Sequence, residues 1–177
     1  MKTLETNRIL LRPFKVTDLE DFYEYAKNSK VGPNAGWPPH ASREDSRKIL
    51  TSFIESDEVW AVVLKENKKV IGSVGIHKDQ LRTATDVRMI GYVLSEDYWG
   101  RGIMTEAARA AIGYAFETTD ITLLTVHHYI HNQRSRRVIE KLGFQYEGTL
   151  RHCSRIFDGS IHDLSCYSMT REEWEKL

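Results

Sequence analysis

Residues 94–107 carry the most informative motif of the chain, Leu94-Ser95-Glu96-Asp97-Tyr98-Trp99-Gly100-Arg101-Gly102-Ile103-Met104-Thr105-Glu106-Ala107. A predicted strand ends at Leu94, two glycines follow one residue apart, and a long helix begins at Gly102. Glycine lets the backbone approach a ligand closely, and the start of a helix presents unpaired N–H groups at the positive end of its dipole. The motif therefore predicts a phosphate-binding loop. A tight strand-to-helix turn without any ligand would use the same residues.

Two common phosphate-binding motifs do not fit this loop. Thr105 stands where the dinucleotide fingerprint G-x-G-x-x-G has its third glycine. No Gly-Lys-Ser or Gly-Lys-Thr follows, so the loop is not a Walker A motif either. These missing residues argue against a nucleotide-binding domain.

Residues 132–144 form a second motif, Asn132-Gln133-Arg134-Ser135-Arg136-Arg137-Val138-Ile139-Glu140-Lys141-Leu142-Gly143-Phe144. Asn132 is a good N-cap, and Ser135 lies on the apolar face of the predicted helix. Three arginines crowd the first turn, where the helix dipole disfavours cations. An anionic ligand nearby would explain them, and a solvated charged face is the alternative.

Hydrophobic periodicity and turn residues organise the rest of the chain. Helices are predicted from Thr17, where Glu20 completes a capping box, from Ser42, from Gly102 and over 132–142, with a terminal helical turn at Thr170. Residues 31–40 are too rich in Pro and Gly for a regular element. Strands are predicted at 7–14, 59–64, 70–77, 87–94, 121–129, 144–156 and 161–169. This order predicts a mixed α/β fold with one sheet, not the regular alternation of a Rossmann fold or barrel.

Composition limits the class of protein. The 177 residues fit one domain, 1–177, and the 25 Lys and Arg cancel the 25 Asp and Glu. A zero net charge argues against a globally basic nucleic-acid binder. The longest apolar run, 59–64, is too short to cross a bilayer, and residues 1–5 lack an apolar signal core. With only two cysteines, expected to be reduced and half-buried, the chain is predicted to be cytoplasmic.

Taken together, the motifs resemble the GNAT acyl-CoA N-acyltransferases. The resemblance rests on 99–107, on Asn132-x-x-Ser135 and on Glu140-Lys141-Leu142-Gly143-Phe144. Residues 147–151, Asp163-x-x-x-Tyr167-Ser168, the opening 8–14 and the loop 32–39 narrow it to the RimJ/RimL-like branch. The resemblance covers essentially the whole chain. It implies a central, mostly antiparallel twisted sheet of about seven strands with about four helices.

The resemblance also implies that acetyl-CoA is the acetyl donor. The loop Arg101, Gly102, Ile103, Met104 and Thr105 would hold the pyrophosphate, and Tyr92, Val93 and Leu94 would pair with the pantetheine arm. Asn132 would hydrogen-bond that arm, and Ser135 would lie near the thioester sulfur. Arg137 is included among the cofactor-binding residues, although the sequence does not choose among Arg134, Arg136 and Arg137.

Acetyl transfer in this family is a direct attack by an amine, which needs a base and a proton donor for the thiolate. Many relatives carry glutamate at the place of Met89 and tyrosine at the place of Ile139. Both usual groups are therefore absent from those two positions, and Ser135 is the best remaining donor. The catalytic candidates are Ser135, Asn132, His77, His127 and Asp163. Each base candidate has a structural alternative, with the histidines at the sheet surface and Asp163 holding a neighbouring backbone or arginine.

The loop 32–39 lies where relatives admit their acceptor, so Trp37, Asn34 and Tyr129 are predicted to bind substrate. Trp37 as a packing residue that pins the loop is the alternative. No metal is expected, because adjacent histidines such as His127 and His128 point to opposite faces of a strand. The expected partner is an amine, either a protein N-terminus or a small molecule, and the chain would be a monomer or homodimer without nucleic-acid or membrane partners. A catalytically weak acyl-CoA-binding or sensing module is the second hypothesis.

Overall fold

The computed structural model describes residues 1–177. One sheet of eight strands is flanked by five helices, which confirms the predicted fold class. The sheet order is β1-β2-β3-β4-β5-β6-β8-β7. The strands are β1 Leu4–Glu5, β2 Ile9–Pro13, β3 Val59–Leu64, β4 Val70–Lys78, β5 Val87–Leu94, β6 Leu123–Tyr129, β7 Gln145–Arg155 and β8 Ile161–Thr170. The helices are α1 Leu19–Ala26, α2 Arg43–Ser56, α3 Ile103–Thr118, α4 Gln133–Leu142 and α5 Arg171–Trp174.

The strand count is one higher than predicted because of β1. This strand has two residues, and Leu4 pairs with Leu11 of β2. Two residues are too few for an alternating pattern to stand out in the sequence. The extra strand is therefore recognised by its hydrogen-bonded pairing with β2 and not by a hydrophobic pattern in the sequence.

All neighbouring strands are antiparallel except β5 and β6, which are parallel. Their pairing starts at Val87 with Leu123 and ends at Met89 with Thr125. Beyond this point β5 pairs with β4 alone and β6 with β8 alone. The sheet is consequently open between the second halves of β5 and β6.

Different helices cover the two faces of the sheet. On one face, Ile112 of α3 and Ile139 of α4 are fully buried in a core that also holds Ile90 of β5. On the other face, Phe22 of α1 and Leu50 of α2 form a second core. Burial of each such side chain stabilises the fold by about 1.5–3 kcal/mol. Because strand side chains alternate, odd-numbered residues of β5 and β6 face α1 and α2.

The start of α1 differs from the predicted capping box at Thr17. A 3-10 turn, Val16–Asp18, precedes the helix, and the Asp18 carboxylate accepts from the Lys15 N–H at 2.8 Å. Asp18 is buried, and its carboxylate also accepts hydrogen bonds from both terminal nitrogens of Arg12, at 2.7 and 2.8 Å. A carboxylate with a bidentate arginine partner and a backbone donor thus replaces the threonine hydroxyl at this position.

Two further details differ from expectation. Residues 31–40 contain a short 3-10 turn, Gly32–Ala35, where no regular element was expected. Cys153 is exposed and Cys166 is buried, and both thiols are free. No helix has the combination of length and apolar character that a membrane span requires.

Candidate active site

A cavity of about 580 Å3 occupies the opening between β5 and β6. On the α3 and α4 face it is lined by the loop before α3 and by α4, and on the other face by the segment after α1 and by side chains of β4. The cavity therefore passes through the sheet. A ligand entering from one face meets a ligand entering from the other at the point where β5 and β6 separate.

The glycine loop forms the first wall of this cavity. Gly100 and Gly102 have φ of 76° and 73°, a left-handed conformation that glycine adopts without a Cβ penalty. The first backbone hydrogen bond of α3 is from the Glu106 N–H to the Gly102 carbonyl, at 3.1 Å. The N–H groups of residues 101–105 therefore have no backbone acceptor. Several free donors at the start of a 16-residue helix form a suitable cradle for phosphate.

An ion pair holds the first turn of α3 against the segment that precedes β2. The Glu106 carboxylate accepts from Thr6 Oγ1 at 2.6 Å, and from the N–H and Nε of Arg8 at 2.9 and 2.7 Å. Burial raises the pKa of Glu106, but these hydrogen bonds outweigh burial and leave the pKa below its ordinary value. Arg8 also donates to the Arg101 carbonyl at 2.8 Å. The sequence offered no signal for this contact, because nearly a hundred residues separate the partners.

Asn132 organises the start of α4. Its side-chain oxygen accepts from the Ser135 N–H at 3.1 Å, so it is the predicted N-cap. Its side-chain nitrogen donates to the Asn34 carbonyl at 3.1 Å and thereby ties α4 to the segment after α1. Both side-chain polar atoms thus have partners within the protein, and hydrogen bonding to the pantetheine arm stays a prediction.

Ser135 is paired with a tyrosine hydroxyl. Tyr92 Oη lies 2.9 Å from Ser135 Oγ and donates to the Ser135 carbonyl at 3.3 Å. Burial raises the pKa of Tyr92 well above its ordinary value, so the phenol is protonated and available as a donor. Ile139, by contrast, is fully buried in the core. A tyrosine hydroxyl is therefore present after all, contributed by β5 and not by α4.

The three arginines of α4 differ in whether they line the cavity. Arg136 Nε pairs with Glu140 at 2.7 Å on the outer surface. Arg134 and Arg137 line the cavity together with Lys141, and Arg134 lies 4.5 Å above the ring of Trp99. Basic side chains thus border the same end of the cavity as the glycine loop.

Aromatic and amide residues wall the opposite end. Trp37, Asn34 and Tyr129 all line the cavity, so the structure brings the three predicted acceptor residues together. Trp37 packs tightly against Gly32, since a Cβ there would lie 2.5 Å from the indole ring. The indole therefore pins the loop as well as lining the cavity. Gly36 has a φ of 89° and leaves room for the Tyr129 hydroxyl, which would lie 2.3 Å from a Cβ.

Two of the predicted base candidates face this end. His77 of β4 and His127 of β6 both line the cavity. His77 Nδ1 lies 3.4 Å from Glu58 Oε2 and is about one-third exposed. Burial is the main effect that lowers the pKa of His127, so a neutral imidazole prevails there at pH 7. Nothing in the sequence around His77 signals the contact with Glu58, which lies 19 residues earlier in the chain.

Two predicted site residues are not brought into the cavity as side chains. Asp163 accepts from the His152 N–H at 2.8 Å and supports an irregularity of β7, where His152 has a φ of 49°. The expected alternative for Asp163, a bond to neighbouring backbone, is the one observed. The Cζ atom of Arg101 lies 5.4 Å from the centre of the Tyr98 ring, and Arg101 is not among the residues that line the cavity. Arg101 therefore contributes its backbone to the glycine loop, while its side chain lies outside the cavity.

The histidines of β6 separate as strand alternation predicts. The His128 ring packs against Tyr167, with Nε2 3.5 Å from its hydroxyl, on the α3 and α4 face. His127 faces the other side. No three His, Cys, Asp or Glu side chains come together in a group suited to a metal ion.

Comparisons with known proteins identify the family. The profile of the family described as Acetyltransferase (GNAT) domain matches residues 8–145. A probable N-acetyltransferase, YjcK of Bacillus subtilis (strain 168), is 30% identical over 168 residues, which cover 86% of this chain and 89% of that protein. The ribosomal protein uS5-alanine N-acetyltransferase of Escherichia coli (strain K12) is 30% identical over 109 residues, covering 62% and 55%.

The fold agrees with this assignment. The crystal structure of a GNAT-family acetyltransferase from Bacillus anthracis superposes with a TM-score of 0.88 at 24% identity, covering 97% of this chain and 100% of that one. The profile match spans most of the chain, and the predicted resemblance is confirmed. The protein therefore belongs to the GNAT acetyltransferase family, and a ribosomal-protein-alanine acetyltransferase is among its relatives.

Proposed function

We propose that this enzyme transfers the acetyl group of acetyl-CoA to a primary amine by direct attack of the amine. One observation carries the proposal: the cavity passes through the sheet and joins a phosphate cradle on one face to an aromatic chamber on the other. Such a passage lets two substrates approach from opposite sides without a covalent enzyme intermediate. Holding both in one site replaces a bimolecular aminolysis by an effectively intramolecular step.

The residues at the first end suit acetyl-CoA. The free N–H groups of 101–105 would hold the pyrophosphate, and Arg134, Arg137 and Lys141 offer charge to the remaining phosphate. The backbone of 92–94, which pairs with β4 but not with β6, would hold the pantetheine arm. Acetyl-CoA, when bound, supplies an activated acetyl group as a thioester.

The chamber at the second end favours an amine with one positive charge. Its walls include Trp37, Phe53, Met89 and Tyr129, and no Asp or Glu is among the residues that line the cavity. A polyamine would leave its further ammonium groups without a counter-charge. A protein N-terminus or a small monoamine is the better fit. The name of the Escherichia coli relative specifies alanine, and the amine of an N-terminal alanine is one such acceptor.

The hydroxyl pair of Tyr92 and Ser135 supplies the proton for the departing sulfur. The acceptor ammonium first loses one proton to a base, and the neutral amine then attacks the thioester carbon. The C–N bond forms, the C–S bond breaks, and a second proton moves from nitrogen to sulfur through the hydroxyl pair. The products are an amide, CoA as the thiol and one proton on the base, so atoms and charge balance.

The test is acetyl-CoA-dependent thiol release across N-terminal peptides, monoamines, amino sugars and polyamines. We expect turnover on at least one peptide or monoamine. We also expect that no polyamine is a better acceptor than that peptide or monoamine. Tight CoA binding without turnover on any amine would favour an acyl-CoA-binding module instead. Absence of CoA binding would overturn the proposal.

A further inference from the structure

We propose that Glu58 and His77 form the base of this reaction: His77 Nε2 takes the proton from the acceptor ammonium, and Glu58 orients the imidazole. The inference rests on the proposed function and adds a catalytic residue and a positioning residue to it.

The His77 ring is seated on two glycines. A Cβ added to Gly75 of β4 would lie 2.5 Å from His77 Nε2, and a Cβ added to Gly91 of β5 would lie 3.9 Å from it. Because positions 75, 77 and 91 face the same side of the sheet and two of them are glycines, the imidazole folds back over backbone that carries no side chain. The ring therefore lies over Gly75 of β4, with its edge toward Gly91 of β5, and it lines the cavity.

Glu58 holds the other side of the ring. Its carboxylate oxygen Oε2 lies 3.4 Å from His77 Nδ1, a long contact of the kind that tightens when substrate binds. The Glu58 carbonyl accepts from the Ile76 N–H at 3.1 Å, which fixes the backbone of Glu58 beside His77. A proton on Nδ1 that faces Glu58 leaves the lone pair on Nε2, which has no hydrogen-bond partner in the protein and belongs to a ring that lines the cavity. This is the tautomer that a general base requires.

Other groups in the chamber are less suited to the task. Met89 lies directly opposite His77 in the β4–β5 pairing and has no titratable atom. His127 has no hydrogen-bond partner on either ring nitrogen to fix its tautomer, while His77 has a carboxylate. The remaining cavity residues on this face are aromatic, aliphatic, amide or hydroxyl groups. His77 is thus the one imidazole of the chamber with an orienting partner.

The proton balance is simple. The acceptor R–NH3+ gives one proton to Nε2 and becomes R–NH2, while His77 becomes imidazolium, whose charge Glu58 stabilises. Since the His77 side chain is about one-third exposed, the imidazolium returns its proton to water after each turnover. No additional reactant is needed.

Steady-state kinetics test the pair. We expect His77→Gln to lower kcat about 100-fold and Glu58→Gln about 10-fold, each with little change in the KM for acetyl-CoA. Glu55→Gln removes an exposed carboxylate at the end of α2, shortly before Glu58 in the chain, and serves as the matched control, with wild-type kcat expected. Full activity of His77→Gln, or a loss in His127→Gln alone, would overturn the proposal.

Rescue separates a chemical role from a structural one. Added imidazole should restore part of the kcat of His77→Gly, and Met89→Glu should restore part of the kcat of His77→Gln, because residue 89 faces the same chamber. A merely structural role of His77 predicts no response to either. Failure of both rescues in folded variants that still bind CoA would overturn the proposal.

A readout independent of turnover is the tautomer of His77, measured by 15N NMR of the ring nitrogens. The pair predicts the Nδ1–H form in the wild type and a loss of this preference in Glu58→Gln. The Nε2–H form in the wild type would contradict the inference even if the enzyme turns over. If the wild-type protein does not bind CoA, the proposed function is contradicted, whichever tautomer His77 adopts.

Discussion

The Tyr92 hydroxyl lies 2.9 Å from the Ser135 hydroxyl and thereby joins β5 to the first turn of α4 across the cavity. The two residues are 43 positions apart in the chain and meet only because the sheet opens between β5 and β6. A buried phenol, a serine hydroxyl and the unpaired backbone of β5 consequently surround one point. We propose that the thioester sulfur binds there.

Removal of either hydroxyl should slow acetyl transfer. We expect Tyr92→Phe and Ser135→Ala each to lower kcat roughly 10- to 100-fold, because both hydroxyls take part in moving the proton from nitrogen to the departing sulfur. The double variant should lose less than the product of the two single effects, since the hydroxyls act as a unit. The measurement combines kcat from steady-state kinetics with the Kd for CoA from calorimetry. An equal loss in affinity and in kcat would instead indicate a binding role.

The arginines of α4 should contribute unequally to CoA binding. Arg137→Ala removes a cation that borders the cavity, and we expect the Kd for CoA to rise about tenfold. Arg136→Ala is the matched control, because this side chain pairs with Glu140 on the outer surface. Calorimetry at fixed ionic strength compares the two. A larger effect of Arg136→Ala would show that the phosphates bind elsewhere.

Buried Asp79 should make stability depend on pH. Its carboxylate accepts from Thr125 Oγ1 at 2.5 Å and from the N–H groups of Leu81 and Arg82 at 2.6 and 2.9 Å. Burial raises the pKa of Asp79, but these hydrogen bonds outweigh it and hold the pKa below its ordinary value. The stabilisation is therefore complete above the unfolded-state pKa of about 3.9 and is lost as pH falls through the lower native value.

We expect Asp79→Asn to lower the free energy of unfolding by about 1–3 kcal/mol at pH 7, and by less near pH 3. Urea unfolding at both pH values measures the difference. Asp120→Asn, at an exposed position, should change stability by less than about 0.5 kcal/mol and serves as the control. A penalty for Asp79→Asn that grows toward acid pH would contradict the assigned role.

Local patterns in the sequence predicted most elements of this fold. Alternation placed β3 to β8 within two residues of their observed bounds, and residue chemistry placed the ends of helices. Ser42 caps α2 and Asn132 caps α4, while Gly143 ends α4 with a φ of 90°. Each of these residues lies within or next to the helix whose end it predicts.

Contacts between distant segments could not be predicted in the same way. Tyr92 was expected to contribute backbone only, because nothing in the sequence shows that its hydroxyl reaches Ser135. The contact of Glu58 with His77 depends on the bare backbone of Gly75, two positions before the histidine. These pairings follow from strand register and the direction of side chains, which the fold has to establish first.

The most direct test of this account is a 1H–15N NMR titration of the wild-type protein with CoA. If the cavity between β5 and β6 is the donor site, the largest amide shifts will fall on residues 101–105 and 92–94, with further shifts at the start of α4. Shifts confined to other surfaces, or none at saturating CoA, would contradict the site and the acetyl transfer proposed for it.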